Sequence, residues 1–289
     1  MPVKEKCLII DGNNLLYSSY HVSLKLPWKM KKGTMFFFLR VIISILKKGN
    51  YQKLLVTFDG GGTNFRKTLF PEYKAQRVSM PDELWEQMEE IKSLLKKINI
   101  NYIQLINCEA DDVIASFVSQ MTKIYPHITF DILTRDKDLL QLLNENINIL
   151  KYNNRKPIIY TYNHFLNEYN FSPQNFVDYL SLLGDNVDNI LGVRGIGPVS
   201  TKNLINQFQT VENIYQEINS LPKNYKILLE NKQNLVLDNK KLVSLEKDIP
   251  LPINIYQESD FNWEQWKDNK ELRKFCLDNK FMSVIKLLN

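Results

Sequence analysis

Histidine and cysteine are scarce in this chain, each occurring three times in 289 residues. His21, His127 and His164 show no ligand spacing, which argues against a zinc hydrolase. Cys7, Cys108 and Cys276 lie far apart and form no CxxC pair, so neither a disulfide framework nor a zinc site is indicated and a reducing compartment is expected. Long apolar runs are missing too: the most apolar stretch, MFFFLRVIISIL, is interrupted by Arg40 and falls short of the ~20 residues a bilayer span needs. The start, MPVKEKCLIIDGNN, offers a four-residue apolar run before Asp11, too short for a signal peptide. The expectation is a cytoplasmic protein without membrane attachment. Neither sign of charge dominates, since 37 Lys and Arg against 32 Asp and Glu leave +5, which permits a polyanionic partner without demanding one.

What is present reads as a globular protein: 44% of residues are hydrophobic and 24% charged, and the length suits one large domain or two smaller ones. Four short apolar runs predict buried strands, KCLIID (6–11), KLLVTFD (53–59), NYIQLI (101–106) and ITFDILT (128–134). Helical patterns at 35–48, 82–98 and 110–123 lie between them. Such alternation predicts an α/β fold, a mostly parallel sheet with helices on both faces, whose ligands sit beyond the carboxyl ends of the strands.

That edge is where the acids fall. Asp11 closes the first run and Asp59 the second; Glu109, Asp111 and Asp112 follow the third; Asp136 and Asp138 follow the fourth. Alone, the hexapeptide CEADDV reads as a solvated acidic first turn of a helix. Yet at about 5 Å and an effective dielectric of about 20, each pair of ionised carboxylates repels by roughly 3 kcal/mol, and scattered surface acids have no reason to end four successive strands. Beyond residue 165 the chain reads as helices. SPQNFVDYLSLLGDNVDNI opens on Ser172 as a cap with Pro173 at the first helical position, and ends on two further acids, Asp185 and Asp188. GVRGIGPVSTKNLI follows, a glycine-punctuated turn between helices whose amides can receive a phosphate.

Hard divalent cations with oxygen ligands are the natural counter-charge for this set, and nine carboxylates exceed what one Mg²⁺ takes. Two Mg²⁺ or Mn²⁺ ions about 4 Å apart fit better. FRKTLFPEYKAQR adds Arg66, Lys67, Lys74 and Arg77, with Phe70 and Tyr73 between them, a mixture that holds phosphates and stacks unpaired bases.

LIIDGNNLLYSSYH, VTFDGGGTNFRKTLFPEYKAQR, CEADDVIAS, LTRDKDLLQLL, LLGDNVDNILGVRGIG and LINQFQTVENI together resemble the successive motifs of the 5′-3′ exonuclease and flap endonuclease family, as a stand-alone member without a polymerase domain. The resemblance implies a nuclease domain of PIN-like or resolvase-like type over 1–165, with a helical arch near 70–90, then a helix-hairpin-helix duplex-binding domain over 166–252. Residues 253–289, with Trp263 and Trp266, read as an amphipathic tail helix. It further implies that Asp11, Asp59, Glu109, Asp111 and Asp112 gather one metal and Asp136, Asp138, Asp185 and Asp188 a second. Lys74 and Arg77 would reach the scissile phosphate and, with Asp111, form the catalytic set. Tyr17 would stack on a base. The turn Gly192–Gly197, with Arg194, Gly195, Ser200 and Lys202, would grip duplex backbone around a K⁺. Two departures stand out: Ser18 follows Tyr17 where the family often has Arg, and Pro198-Val199-Ser200 follows Gly197 where Glu-Lys-Thr is usual.

The implied activity is a Mg²⁺-dependent hydrolase of DNA, a monomer acting at 5′ flaps, nicks and 5′ ends in replication or repair. An RNA-cutting nuclease of related fold and a non-catalytic nucleic-acid scaffold are the rivals; the segment 165–250 speaks against the first and the intact acid set against the second.

Overall fold

Along strand β1 (Glu5–Asp11), Cys7 and Ile9 enter one core cluster while Leu8 and Ile10 enter another, and all four are fully buried. That alternation puts β1 in the middle of a sheet covered on both faces. In the computed structural model, which describes residues 5–26, 30, 32–153, 156–252, 262–263 and 266–289, β1 pairs in parallel with β2 (Lys53–Asp59) and with β4 (Ile128–Leu133). Strand β3 (Tyr102–Leu105) adds in parallel beyond β2, β5 (Ile147–Asn153) in parallel beyond β4, and β6 (Lys156–Tyr160) closes that edge antiparallel. The order β3-β2-β1-β4-β5-β6 reverses direction at β1, so the crevice between the carboxyl ends of β1 and β4 is the topological switch point.

Helices α1 (Gly12–Leu24), α2 (Gly33–Gly49) and α4 (Asp82–Lys97) cover one face, with Phe38, Ile42, Leu84 and Ile91 in the core beneath them. The short α3 (Phe65–Leu69) lies between β2 and α4. Helix α5 (Ala110–Ile124) covers the other face through Val113, Phe117 and Val118. The helical half packs into this second core: α6 (Tyr162–Tyr169), α7 (Phe176–Leu183), α8 (Pro198–Phe208), α9 (Val211–Gln216), α10 (Lys223–Leu229) and α11 (Gln233–Val243) contribute Phe165, Phe176, Leu204, Val211, Leu229 and Val236. A small hairpin, β7 (Gly184–Asp185) and β8 (Ile190–Leu191), joins α7 to α8. No helix among the described residues is long and apolar enough to cross a membrane.

Three expectations change. The sequence reading stops at four strands, and the β5–β6 hairpin adds two more. Its signal, the alternation of INILKYN, is weakened by polar residues within the strand: Lys151 is exposed, and Asn148 donates to the buried Asp131 at 2.8 Å. Ser172 makes no side-chain cap; Pro173–Asn175 form a 3₁₀ turn and α7 starts at Phe176. In the tail, Trp263 and Trp266 are buried, and two short helices, α12 (Lys270–Asp278) and α13 (Met282–Leu288), replace the single one expected, packing beside α2. The expected tail residues 253–261 and 264–265 lie outside the described residues.

Candidate active site

The ends of β1, β2 and β4 deliver their acids to one cleft of about 610 Å³, lined among others by Asp11, Asp59, Asp111, Asp136, Asp185 and Asp188. Asp11 is 4% exposed; its Oδ1 accepts from the Asn14 amide at 3.0 Å, capping α1, and its Oδ2 accepts from Thr134 Oγ1 at 2.9 Å across the switch point. Asp59 Oδ2 accepts from Asn13 Nδ2 and Oδ1 from the Ala110 amide, each at 2.8 Å, which ties β2 to the start of α5. Glu109 sits at the N-cap of α5 without spending its carboxylate on a cap. Asp138, Asp185 and Asp188 form the second group, each offering an oxygen within 4.8 Å of the others.

Crowding governs the charges. Burial, and then Asp59 and Asp136, push Asp11 up to about 7. Burial, Asp136, Asp185 and Asp188 push Asp138 up to about 8, and Asp111 is raised well above the carboxylate range by burial, Asp136 and Asp11. Glu109 moves the other way: burial opposes its charge, and Lys74 and Arg66 outweigh it.

The cations come from the segment after α3. Lys74 Nζ lies 2.7 Å from Glu109 and 3.8 Å from Asp188, and Arg77 lies 2.6 Å from Asp188. Lys74 adopts a left-handed backbone (φ 55°), and its amide donates to the Asp188 carbonyl at 3.1 Å. Side chains continue the docking, with Asn189 Nδ2 donating to the Glu72 carbonyl at 2.9 Å and Gln76 Nε2 to Asn189 Oδ1 at 3.1 Å. The expected helical arch is corrected accordingly: residues 71–76 are turns seated on the β7–β8 hairpin, and the helix starts at Asp82 and packs into the core through Leu84 and Met88. Tyr73, expected to stack on bases, is 3% exposed, with its hydroxyl 3.2 Å from Glu109 and 3.4 Å from Asp188. Tyr17 is half-buried on α1 and lines the cleft, and Lys67 is exposed beside a second cavity of about 240 Å³ that shares Asp59, Lys74 and Arg77.

Two assignments are corrected outright. Arg66 is 1% exposed and cannot meet a phosphate: its Nε donates to the Leu242 carbonyl at 2.7 Å, and its two terminal nitrogens donate to Asp112 at 2.5 and 2.7 Å, to Glu109 at 3.1 Å and to the Ser244 carbonyl at 2.6 Å. Burial works against its charge, and the Asp112 carboxylate overcomes this and raises its pKa. Asp112, 1% exposed, has both oxygens on Arg66 and takes the Glu246 amide at 3.0 Å as well, so it is a structural counter-ion and leaves the ligand set.

In the turn after β8, Val193 and Ile196 are buried anchors while Arg194, Gly195 and Gly197 face solvent. Gly195 has φ +91°, and a Cβ there would lie 3.1 Å from Leu228, so the chain itself requires glycine. Gly197 differs: its backbone is extended (φ −93°), and nothing lies within 4 Å of where its Cβ would be. Gly192 has the Leu183 carbonyl 2.0 Å from its would-be Cβ. Ser200 accepts from the Tyr225 hydroxyl at 3.3 Å, and Lys202 Nζ donates to the Glu168 carbonyl at 2.6 Å.

Comparison with known proteins fits both halves. The model of the 5′-3′ exonuclease N-terminal resolvase-like domain matches residues 6–170, and that of the 5′-3′ exonuclease C-terminal SAM fold matches residues 171–269. The chain belongs to the 5′-3′ exonuclease family. It is a nuclease, and its relatives extend over nearly its whole length. The 5′-3′ exonuclease of Buchnera aphidicola subsp. Acyrthosiphon pisum (strain APS) is 39% identical over 284 residues, covering 95% of this chain and 94% of that one. DNA polymerase I of Caldicellulosiruptor bescii is 32% identical over 290 residues, 98% of this chain but 33% of the polymerase. Among solved structures, T5 5′-exonuclease with bound zinc superimposes with a TM-score of 0.67 at 24% identity, covering 99% of this chain and 100% of that one, a shared fold.

The donors of this nuclease suit hard divalent cations. The cleft is walled by carboxylates, Asp138 Oδ1 is buried with no hydrogen-bond partner among the described residues, and the raised carboxyl pKa values are what a divalent ion would reverse. An adjoining cavity of about 440 Å³ between α1 and α2, lined by Leu15, Phe37 and Val41, holds none of the acids. Sequence reasoning passed over Asn13 and Thr134, which hold Asp59 and Asp11 in place, and gave Tyr73, which bonds Glu109, a stacking role instead. The first two stood beside motif acids, in DGNN and LTRD; Tyr73 was visible in PEYK only as an aromatic among cations.

Proposed function

We propose that this nuclease is a Mg²⁺-dependent, structure-specific 5′ nuclease of DNA, cutting at 5′ ends, nicks and flaps and leaving 5′-phosphates. The observation that carries the reading is the meeting of two acid groups, from the strand ends and from the β7–β8 hairpin, with Lys74 and Arg77 between them. Asp11, Asp59, Glu109 and Asp111 would hold one ion and Asp136, Asp138, Asp185 and Asp188 the other, with Mn²⁺ able to substitute. Two such ions supply Lewis acidity and stabilise the attacking and leaving oxygens of an in-line displacement. The chain's own part is placement. Lys74 and Arg77 meet the scissile phosphate, Tyr17 supports the neighbouring base, and the acids act as ligands more than as bases. Nucleases of this fold have been seen with DNA, as in the T5 flap endonuclease product complex with DNA and metal ions (TM-score 0.65) and the Rad2 catalytic core with DNA substrate (TM-score 0.60).

Residues 1–165, completed by Asp185 and Asp188, would carry the chemistry, and the rest of 166–252 the duplex grip, through amides of the Gly192–Gly197 turn, Arg194, Ser200 and a K⁺. The open space before Gly197 is room for a phosphate to approach the backbone. Because nothing inside the protein meets that Cβ, Gly197→Val is expected to leave the thermal midpoint unchanged while weakening duplex binding about tenfold, the scale of one charge-assisted hydrogen bond. The single-turnover rate at saturating enzyme should hold. A duplex dissociation constant equal to wild type would remove the turn from the binding surface.

Shape, more than base edges, should govern substrate choice, since few side chains at the site suit base reading. The test is a gel of end-labelled 5′-flap, nicked, blunt-duplex and single-stranded DNA, beside a flap of RNA. Cleavage near the junction of the DNA flap supports the reading. Cleavage confined to RNA, or none on any substrate with Mg²⁺ present, would favour the rivals.

A further inference from the structure

Behind the acids runs a segment that touches no cleft residue's charged tip directly, yet is fastened to the supports of both groups. It comprises the end of α11 and the irregular chain that follows, residues 242–249. On one side Arg66 grips its Leu242 and Ser244 carbonyls at 2.7 and 2.6 Å while holding Glu109 at 3.1 Å. On the other, Gln141 Nε2 donates to the Val243 carbonyl at 3.0 Å and to the carbonyl of Asp138 at 2.8 Å, and its Oε1 accepts from the Leu245 amide at 3.2 Å. Asp112 takes the Glu246 amide at 3.0 Å, and Ser116 Oγ bonds the Glu246 carbonyl at 3.0 Å and the Ile249 amide at 3.1 Å. Just upstream, Asn239 Nδ2 donates to the Ser181 and Leu191 carbonyls at 2.9 and 2.8 Å, backing the hairpin that bears Asp185.

All the side chains in this network are buried: Arg66, Asp112, Ser116, Gln141 and Asn239 are each at most 3% exposed. Desolvating so many polar groups gains little net stability even when all are paired. Its yield is geometry. Glu109 and Asp138 belong to different strand–helix units; Lys74 and Tyr73 bridge the two acid groups on the cleft side, and behind them Arg66 and Gln141 reach the same eight-residue strap and join the supports of Glu109 and Asp138 crosswise. A pair of ions about 4 Å apart demands a fixed separation of their ligands, and outer-shell partners that fix it usually matter about 10- to 100-fold for metal affinity or activity.

We propose that residues 242–249 are a spacer that sets the separation of the two acid groups, and that Gln141 is a positioning residue acting through that spacer. The inference rests on the reading of the acids as metal ligands. Gln141 supplies no ligand, no cation and no DNA contact in that reading, so its removal isolates the spacing.

The test is calorimetric titration of Mn²⁺ into the full-length, DNA-free protein, comparing wild type, Gln141→Ala and Ile42→Ala. Ile42 lies in the core on the opposite face of the sheet and controls for lost stability alone. All three are checked by far-ultraviolet circular dichroism at a temperature well below each thermal midpoint. Gln141→Ala is expected to weaken Mn²⁺ binding about 10- to 100-fold and to lower the single-turnover rate at saturating Mn²⁺ while duplex affinity stays put. Ile42→Ala should bind Mn²⁺ as wild type does. Identical isotherms for Gln141→Ala and wild type overturn the inference while leaving the metal reading intact. An equal loss in Ile42→Ala overturns it too, since the effect would then be general loosening. A wild type that binds no Mn²⁺ removes the metal reading and the inference with it. Should Gln141→Ala not fold, Ser116→Ala is a smaller lesion of the same strap; it should weaken Mn²⁺ binding several-fold, and unchanged affinity there overturns the spacer.

Discussion

Asp111→Asn is expected to abolish turnover in a protein that remains folded. Asp111 opens the first turn of α5, lines the cleft, and has its carboxyl pKa raised by burial and by Asp136 and Asp11. The substitution keeps volume and shape, so no cavity forms. It also removes one of several crowded like charges, so the thermal midpoint should stay level or rise. What it deletes is a hard anionic ligand. If that ligand holds an ion worth several kcal/mol to the transition state, the single-turnover rate falls by about 10³-fold or more. Differential scanning calorimetry beside rapid-quench cleavage decides it. A rate near wild type in a folded variant would show that CEADDV is an acidic helix start and nothing more.

How the acids came to be legible is plain from Asp11 and Asp59. Each ends an apolar run, and a parallel sheet places such ends along one edge whatever the details of packing. Arg66 and Asp112 show where that logic stops. Nothing in FRK or EADD tells a solvated basic loop and an acidic turn from a buried fork, because the burial comes from α11, some 176 residues away in sequence from Arg66. The strap was illegible for a second reason: its bonds end on backbone carbonyls and amides, which every residue carries. The glycine turn was legible in part. Its motif offered only amides for a phosphate, and did not show that the fold itself requires glycine at Gly195 and leaves Gly197 open.

Lys74→Ala is expected to lower the single-turnover rate about 10²-fold or more, the scale of one preorganised electrostatic contact. Its side chain is 11% exposed, held between Glu109 and Asp188 on a left-handed backbone, so its ammonium is placed before substrate arrives. An interaction stronger in the transition state than in the ground state shows in the rate more than in binding. Lys67 gives the contrast, being solvent-exposed on the second cavity. Its loss should shallow the log-log salt dependence of affinity by about one unit or less and leave the rate almost unchanged. Measuring both variants on one 5′-flap substrate separates the roles. Small, equal losses at both positions would make Lys74 part of a general basic surface, and the docked turn of residues 71–76 would lose its assigned purpose.

The central claim, that the two acid groups work by holding divalent ions, is tested most directly by metal removal and return. The purified protein is treated with EDTA, dialysed, and assayed under single-turnover conditions against a labelled 5′-flap duplex over a titration of Mg²⁺, with Mn²⁺ and Ca²⁺ in parallel. No cleavage is expected in EDTA, with recovery in Mg²⁺ or Mn²⁺ and a rate that rises with more than the first power of metal at low concentration. Full-rate cleavage in the metal-free buffer would contradict it.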